Sequence, residues 1–305
     1  GFEKTKELAS GERQQFEIRF PLYALTSYLE SEPGWVLEQG VYGIFVGNSL
    51  DASVFSASIK MQDDFVMVKT EHICELKQEL TELKAPSEEI ERRREQWICG
   101  LEEKPSVILG SKDMAKKTMV YGGEYEMIPE KAKDFVDALS REQLIRLATG
   151  DPSQVQGSGN LGAAGFSVPG AAAQTSGCAK GQGLTDYVLA DGPAGLRLQQ
   201  SYFVKDGKIV PEPFEKSIER GFLCKDYKEP EGEKYYQYCT AFPVGTLLAQ
   251  TWDREIVKAV GKAAAEEMAE FHVTLWLAPG MNIHRNPLCG RNFEYFSEDP
   301  VLSGE

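Results

Sequence analysis

An apolar run, Val273 to Ala278, ends on Pro279-Gly280 and opens into a loop dense with polar groups: Asn282, His284, Arg285, Asn286, Arg291, Asn292 and Glu294. A strand that stops at a breaker and releases convergent side chains is how a barrel or an open α/β sheet presents a binding site at its strand ends. A solvated surface loop would account for such residues one at a time. Their interleaving with Phe293, Tyr295 and Phe296 favours a site.

The rest of the chain limits what that site can be. With 305 residues, 42% hydrophobic and 26% charged, the composition is that of a globular protein, and the length suggests about two domains. A formal net charge of −14 opposes phosphate backbones and anionic membranes, so nucleic acid and membrane surfaces are not expected partners. The six cysteines show no CxxC spacing, and with three histidines they suggest neither a metal site nor a disulfide framework; no cofactor is expected. No apolar run reaches the roughly 18 residues of a membrane span. The opening GFEKTKELASGE lacks the apolar core of a signal peptide, and the expected location is cytoplasmic.

Taken in order, residues 1–62 read as strands. Gln15–Phe20, Val41–Val46 and Val54–Met61 carry period-two apolar patterns separated by Gly/Ser/Pro turns, which indicates part of an antiparallel sandwich. Residues 63–128 read as a linker with helices, one over Leu76–Leu83 and one begun by an N-cap at Ser87 with Glu88 and Glu89 behind it. From Pro129 the pattern alternates. Ser140 and Gln143 form a capping box, and the glycine-rich stretch 157–183 lacks the spacing of a phosphate loop. Tyr187–Ala190, Ala241–Leu248 and His272–Ala278 are strand candidates. A tyrosine-bearing charged insertion fills 201–239, and a long helix starts at the Asp253 N-cap, with Trp252 set to pack on Val257. Strand, insertion, strand, helix, strand within about 120 residues is α/β alternation on a parallel sheet.

Asp191 and Arg197 lie in one loop directly after a predicted strand, and Arg291 and Glu294 lie in another. Parallel neighbouring strands would turn all four into one mouth. Carboxylate beside guanidinium suits neutral polyols, whose hydroxyls both donate and accept. A turn-stabilising Asx at Asp191 and a surface ion pair at Arg197 are the structural alternatives for each residue alone.

ADGPAGLRL, AFPVGTLLAQTWD and LAPGMNIHRNPLCGRNFEYFSEDP resemble the N-terminal barrel of glycoside hydrolase family 3, the β-glucosidase family. GFEKTKELASGE with GWVLEQGVYGIFVGNSL resembles that family's fibronectin type III-like domain. The resemblance implies a partial fibronectin-like sandwich over 1–62, a linker over 63–128 and the first part of a (β/α)8 TIM-type barrel over 129–305. This order matches permuted members of the family, and the sequence is expected to be an internal piece of a longer polypeptide. The implied activity is retaining hydrolysis of terminal non-reducing β-D-glucosyl residues. Asp191 would accept from the distal sugar hydroxyls, Arg197 and Arg291 would donate, Glu294 would orient Arg291, and His284 would be structural. The nucleophile Asp is expected after Glu305 and the acid/base before Gly1, so this stretch alone should be inactive. Implied partners are a β-glucoside or oligosaccharide and the remainder of the polypeptide or a complementary chain; homo-oligomers are compatible. A non-catalytic carbohydrate-binding or structural fragment, and a β-xylosidase within the family, remain as alternatives.

Overall fold

A computed structural model describes residues 1–50, 52–74, 77–78, 85–114, 119–120, 129–149, 167–175, 177–210 and 228–305. The helix expected over Leu76–Leu83 falls almost entirely outside these, as do residues 157–166 of the glycine-rich stretch 157–183. The chain divides into two compact units, Arg19–Ile128 and Gly1–Ile18 with Pro129–Glu305.

In the first unit, β1 (Ser27–Leu29), β2 (Gly34–Leu37), β5 (Phe65–Lys69) and β7 (Met119–Val120) make one sheet, and β3 (Gly40–Val46), β4 (Val54–Met61) and β6 (Ser106–Leu109) make another. β1–β2, β2–β5 and β3–β4 pair antiparallel, whereas β6 and β7 join as parallel strands. Val36, Leu37, Met61 and Val68 are buried; Val36 and Leu37 are consecutive and follow a register shift at Trp35/Val36 that interrupts the alternation of β2. The helix α1 (Ser87–Ile98) turns Trp97 onto Phe45 and Phe55, with ring centroids 6.1 and 5.5 Å away. The buried Ser58 hydroxyl donates to Ser106 Oγ, fixing β4 against β6.

Several expectations for this half need correction. Gln15–Phe20 forms no strand: its alternation specifies an apolar face, but no strand among the described residues pairs with it, and Phe16, Ile18 and Phe20 stay exposed. Residues 63–128 hold a helix but also contribute β5, β6 and β7 to the sheets. Pro86, with no side-chain cap, precedes α1, so Ser87 is its first residue and not its N-cap.

The second unit opens with α2 (Glu130–Asp137) and α3 (Arg141–Thr149). The capping box at the start of α3 forms: Gln143 N–H donates to Ser140 Oγ (3.2 Å), and Ser140 N–H donates to Gln143 Oε1 (2.9 Å). Next come β8 (Ala173–Gln174), β9 (Val188–Ala190), β10 (Ser201–Lys205), β11 (Lys208–Val210), β12 (Glu233–Tyr236), α4 (Gly245–Ala249), α5 (Arg254–Glu270), β13 (Leu275–Trp276) and α6 (Pro300–Gly304). β9 lies at the centre of a small sheet, antiparallel to β8 and parallel to β13. Ala190, Leu196 and Val273 form the core beneath it, with Met268 and Trp276 packed alongside. The insertion folds as an antiparallel sheet in the order β11-β10-β12. Its hairpin turns at Asp206-Gly207, both at positive φ, as a two-residue hairpin loop demands.

Two strand expectations change here. Ala241–Leu248 is not a strand, because Pro243 has no N–H for a ladder. Residues from Gly245 instead close helical bonds (Leu248 N–H to Val244 O, 3.0 Å), burying Leu248 and Ala249 and exposing Leu247. The strand expected over His272–Ala278 pairs fully only at Leu275–Trp276. Thr274 N–H to Val188 O (2.9 Å) and Leu277 N–H to Ala190 O (2.8 Å) extend its ladder by one bond at each end. Asp253 caps α5 by accepting from the Glu255 and Ile256 amides. Trp252 packs edge-on against Phe2, with ring centroids 5.1 Å apart.

Candidate functional site

The parallel pairing of β9 with β13 decides where the polar loops start. Both strands run the same way, so the loop after Ala190 and the loop after Trp276 leave one sheet from the same end. The first loop is tight. Asp191 O accepts from Arg197 N–H (2.8 Å), making an isolated antiparallel bridge, and Gly195 N–H bonds back to Gly192 O (3.1 Å). Gly192 and Gly195 sit at φ +117 and +118, and a Cβ on either would run into a backbone oxygen, that of Gly195 or of Thr240. Only glycine fits there. Trp276 Nε1 donates to Gly192 O (2.8 Å), tying the loop to β13.

This folding brings Asp191 and Arg197 into an ion pair of 2.5 Å, with side-chain exposures of 37% and 76%. A pair this exposed contributes only about 0.2–1 kcal/mol to stability, so holding the fold together does not explain it. On the second loop, Arg291 Nε donates to Glu294 Oε1. The Glu294 side chain is 10% exposed while Arg291 is 71% exposed. A carboxylate thus sits in the wall, and the guanidinium it holds faces outward. The Glu294 hydrogen bond and charge push Arg291 above the usual guanidinium range, with the Asp191 carboxylate as the smallest contribution in the same direction. The Arg291 guanidinium also lies 5.8 Å from the centre of the buried Tyr295 ring. His284 is engaged in holding the loop: its ring Nε2 bonds Asn292 O (2.8 Å), and its amide donates to Ser297 O (3.1 Å).

The sequence reading missed the residues that support the Glu294 turn. The Thr246 hydroxyl reaches Tyr295 O (2.7 Å) and Asn292 O (3.1 Å), and a Cβ on Gly245 would lie 2.8 Å from Glu294 O. The first turn of α4 therefore seats the 3-10 turn Asn292–Glu294. The only signal in the chain was a small residue and a hydroxyl following Pro243. Burial and the nearby Glu267 carboxylate push the Cys239 thiol up to about 11, so it is no thiolate nucleophile at neutral pH.

Residues 222–305 match the glycosyl hydrolase family 3 N-terminal domain, and residues 1–50 match the fibronectin type III-like domain. The chain belongs to glycoside hydrolase family 3. Beta-glucosidase A of Butyrivibrio fibrisolvens is 30% identical over 340 residues, which take in 100% of this chain and 34% of that protein. Thermostable beta-glucosidase B of Acetivibrio thermocellus is 41% identical over 123 residues, covering 40% of this chain and 13% of its own length. An exo-alpha-(1->6)-L-arabinopyranosidase of Bifidobacterium longum is 35% identical over 123 residues, with the same coverage, 40% and 13%. This family 3 chain thus spans about a third or less of these relatives. Among solved structures, a beta-glucosidase from Paenibacillus barengoltzii aligns with TM-score 0.52 at 24% identity, covering 93% of this chain and 28% of that one; it shares the fold. Beta-glucosidase 3B of Thermotoga neapolitana, solved with alpha-D-glucose, aligns at 41% identity and TM-score 0.41 over 57% of this chain and 20% of its own.

Proposed function

We propose that this sequence supplies the sugar-gripping loops of a family 3 enzyme that hydrolyses terminal non-reducing β-D-glucosyl residues with retention. Asp191 accepts from the hydroxyls of the terminal sugar remote from the bond cleaved, Arg197 and Arg291 donate, and Glu294 orients Arg291. The observation that carries the reading is the parallel β9–β13 pair, from one end of which both charged loops emerge. β9, α5 and β13 are read as an arc of a (β/α)8 barrel, a reading that the parallel pairing and the Paenibacillus likeness support. The retaining reaction needs a nucleophilic carboxylate and an acid/base about 5 Å apart. We assign neither role to a residue of this chain and take both to come from elsewhere in the polypeptide.

The test is Asp191→Ala in the full-length enzyme. Loss of hydrogen bonds that strengthen in the transition state should lower kcat/KM for an aryl β-glucoside by about 3 kcal/mol and weaken competitive inhibition by glucose, with thermal stability little changed. Unchanged kinetics would mean that the sugar is held elsewhere. The relationship to the Bifidobacterium enzyme, named for an L-arabinopyranoside, supports a second reading in which the sugar is a pentopyranose. Rates on aryl β-glucoside, β-xyloside and α-L-arabinopyranoside under identical conditions separate the two.

A further inference from the structure

The insertion between the two halves of the site carries tyrosines that the sugar-gripping loops do not use. Tyr236 and Tyr238 lie on one face of β12 and its continuation, with rings nearly parallel (16°), centroids 5.8 Å apart and exposures of 60% and 67%. The Lys234 ammonium stands 5.7 Å from the Tyr236 ring and is fixed by Glu229 at 2.5 Å. On the opposite face Tyr202 and Tyr235 stack at 17°, and the buried Gln237 amide donates to Pro169 O, anchoring that side to the unit. The exposed pair is therefore held on a braced sheet, on the strand face opposite Gln237 and beside the buried Phe203, whose ring lies 5.4 Å from the same Lys234 ammonium.

Its position relative to the sugar loop follows from the backbone. Ser201, four residues beyond Arg197, pairs directly with Tyr236. Thr240, two residues beyond Tyr238, sets its carbonyl against Gly195 inside the Asp191–Arg197 loop. An extended chain spans about 3.5 Å per residue, so Tyr238 lies within roughly 7 Å of chain from that loop and Tyr236 within roughly 14 Å. We propose that Tyr236 and Tyr238 form a stacking platform for the sugar units on the reducing side of a β-linked gluco-oligosaccharide. This rests on the reading that its terminal sugar sits at Asp191. All-equatorial glucose presents a C–H surface on both ring faces, and such a surface packs on aromatic faces while the hydroxyls around its edge stay in water. A braced, half-wet pair of parallel rings suits that chemistry better than it suits a dry protein interface, which would draw the rings fully out of solvent.

The experiment measures kcat/KM for gluco-disaccharide, trisaccharide and tetrasaccharide, with the inhibition constant of glucose, in the full-length enzyme. The variants are Tyr236→Thr, Tyr238→Thr, both together, and the paired Tyr→Phe change. We expect a loss of about fivefold per single variant on the trisaccharide and more in the pair, a smaller loss on the disaccharide, an unchanged glucose constant, and retention of the chain-length preference with Phe. Tyr238→Thr lies outside β12 and keeps the test usable where the pair fails to fold. A chain-length preference unchanged in the Thr variants, while Asp191→Ala still weakens glucose, overturns the platform and leaves the sugar loop standing. A flat chain-length response with a lowered melting temperature also overturns it, marking the rings as a packing surface for another part of the polypeptide. An Asp191→Ala enzyme that binds glucose normally removes the sugar-loop reading and the platform with it.

Discussion

Gly195 shows how little freedom the Asp191–Arg197 loop has. Its φ of +118 strains any other residue, and its missing side chain makes room for the Thr240 carbonyl. Gly195→Ala should destabilise the protein by about 2–4 kcal/mol, combining backbone strain with a displaced Thr240 carbonyl. Denaturant unfolding followed beside glucose inhibition checks this: both should shift, because the glycine positions Arg197 as well as the loop. A change smaller than about 0.5 kcal/mol would mean that the loop yields more easily than its contacts suggest. Asp191 and Arg197 were legible in the sequence because two opposite charges share one short loop after a strand. Arg291 and Glu294 were legible because they lie three residues apart behind a Pro-Gly break. Thr246 was not, since its hydroxyl matters only once a turn some fifty residues away folds back on it.

Among the elements, α5 rests on a cap. Asp253 accepts from two amides of its first turn and also lies 3.7 Å from the Lys4 ammonium. Asp253→Ala should cost about 1 kcal/mol, whereas Asp253→Asn keeps the acceptor and most of the stability; urea melts of the two variants make the comparison. The Asp63 carboxylate, between β4 and β5, is held below the usual carboxylate range by the hydroxyl and amide of Ser111. A depressed folded-state pKa contributes stability that is complete above the unfolded value, about 3.9, and is lost as pH falls through the folded one. The stability difference between the protein and Asp63→Asn should therefore shrink on acidification and stay flat from pH 5 to 8, as unfolding curves across pH can show. Val41–Val46 and Val54–Met61 show what alternation can reveal: both form, as neighbours in one sheet. Gln15–Phe20 has the same alternation yet forms no strand, and an eight-residue apolar run such as Ala241–Leu248 fits a strand or a helix until Pro243 and the packing of Gly245 decide.

Within the whole molecule, the division into units does not follow the domain pattern read from sequence. Residues 1–18 group with Pro129–Glu305 although the fibronectin-like match runs over 1–50. Arg254 accounts for much of that grouping. Its guanidinium sits 4.2 Å from the Phe2 ring centre, donates to Phe2 O, and pairs with Glu3 (3.6 Å) and Glu305 (2.7 Å). Arg254→Ala should free the first few residues at a cost of about 1–2 kcal/mol. Hydrogen exchange should then quicken in residues 2–4 and at the start of α5, with β2 and β5 unaffected; uniform protection throughout would show that the tether lies elsewhere.

The β9–β13 ladder has a further consequence, for how such a site can diversify. Neighbouring strands stand about 4.8 Å apart wherever backbone bonds join them, whatever their side chains are. The two charged loops thus begin at a separation set by main-chain geometry, which substitutions within either loop leave untouched. One loop can exchange residues, lengthen or carry an inserted sheet, as the 201–239 segment does, while the other keeps its place. A lineage could retune which glycoside it accepts one wall at a time.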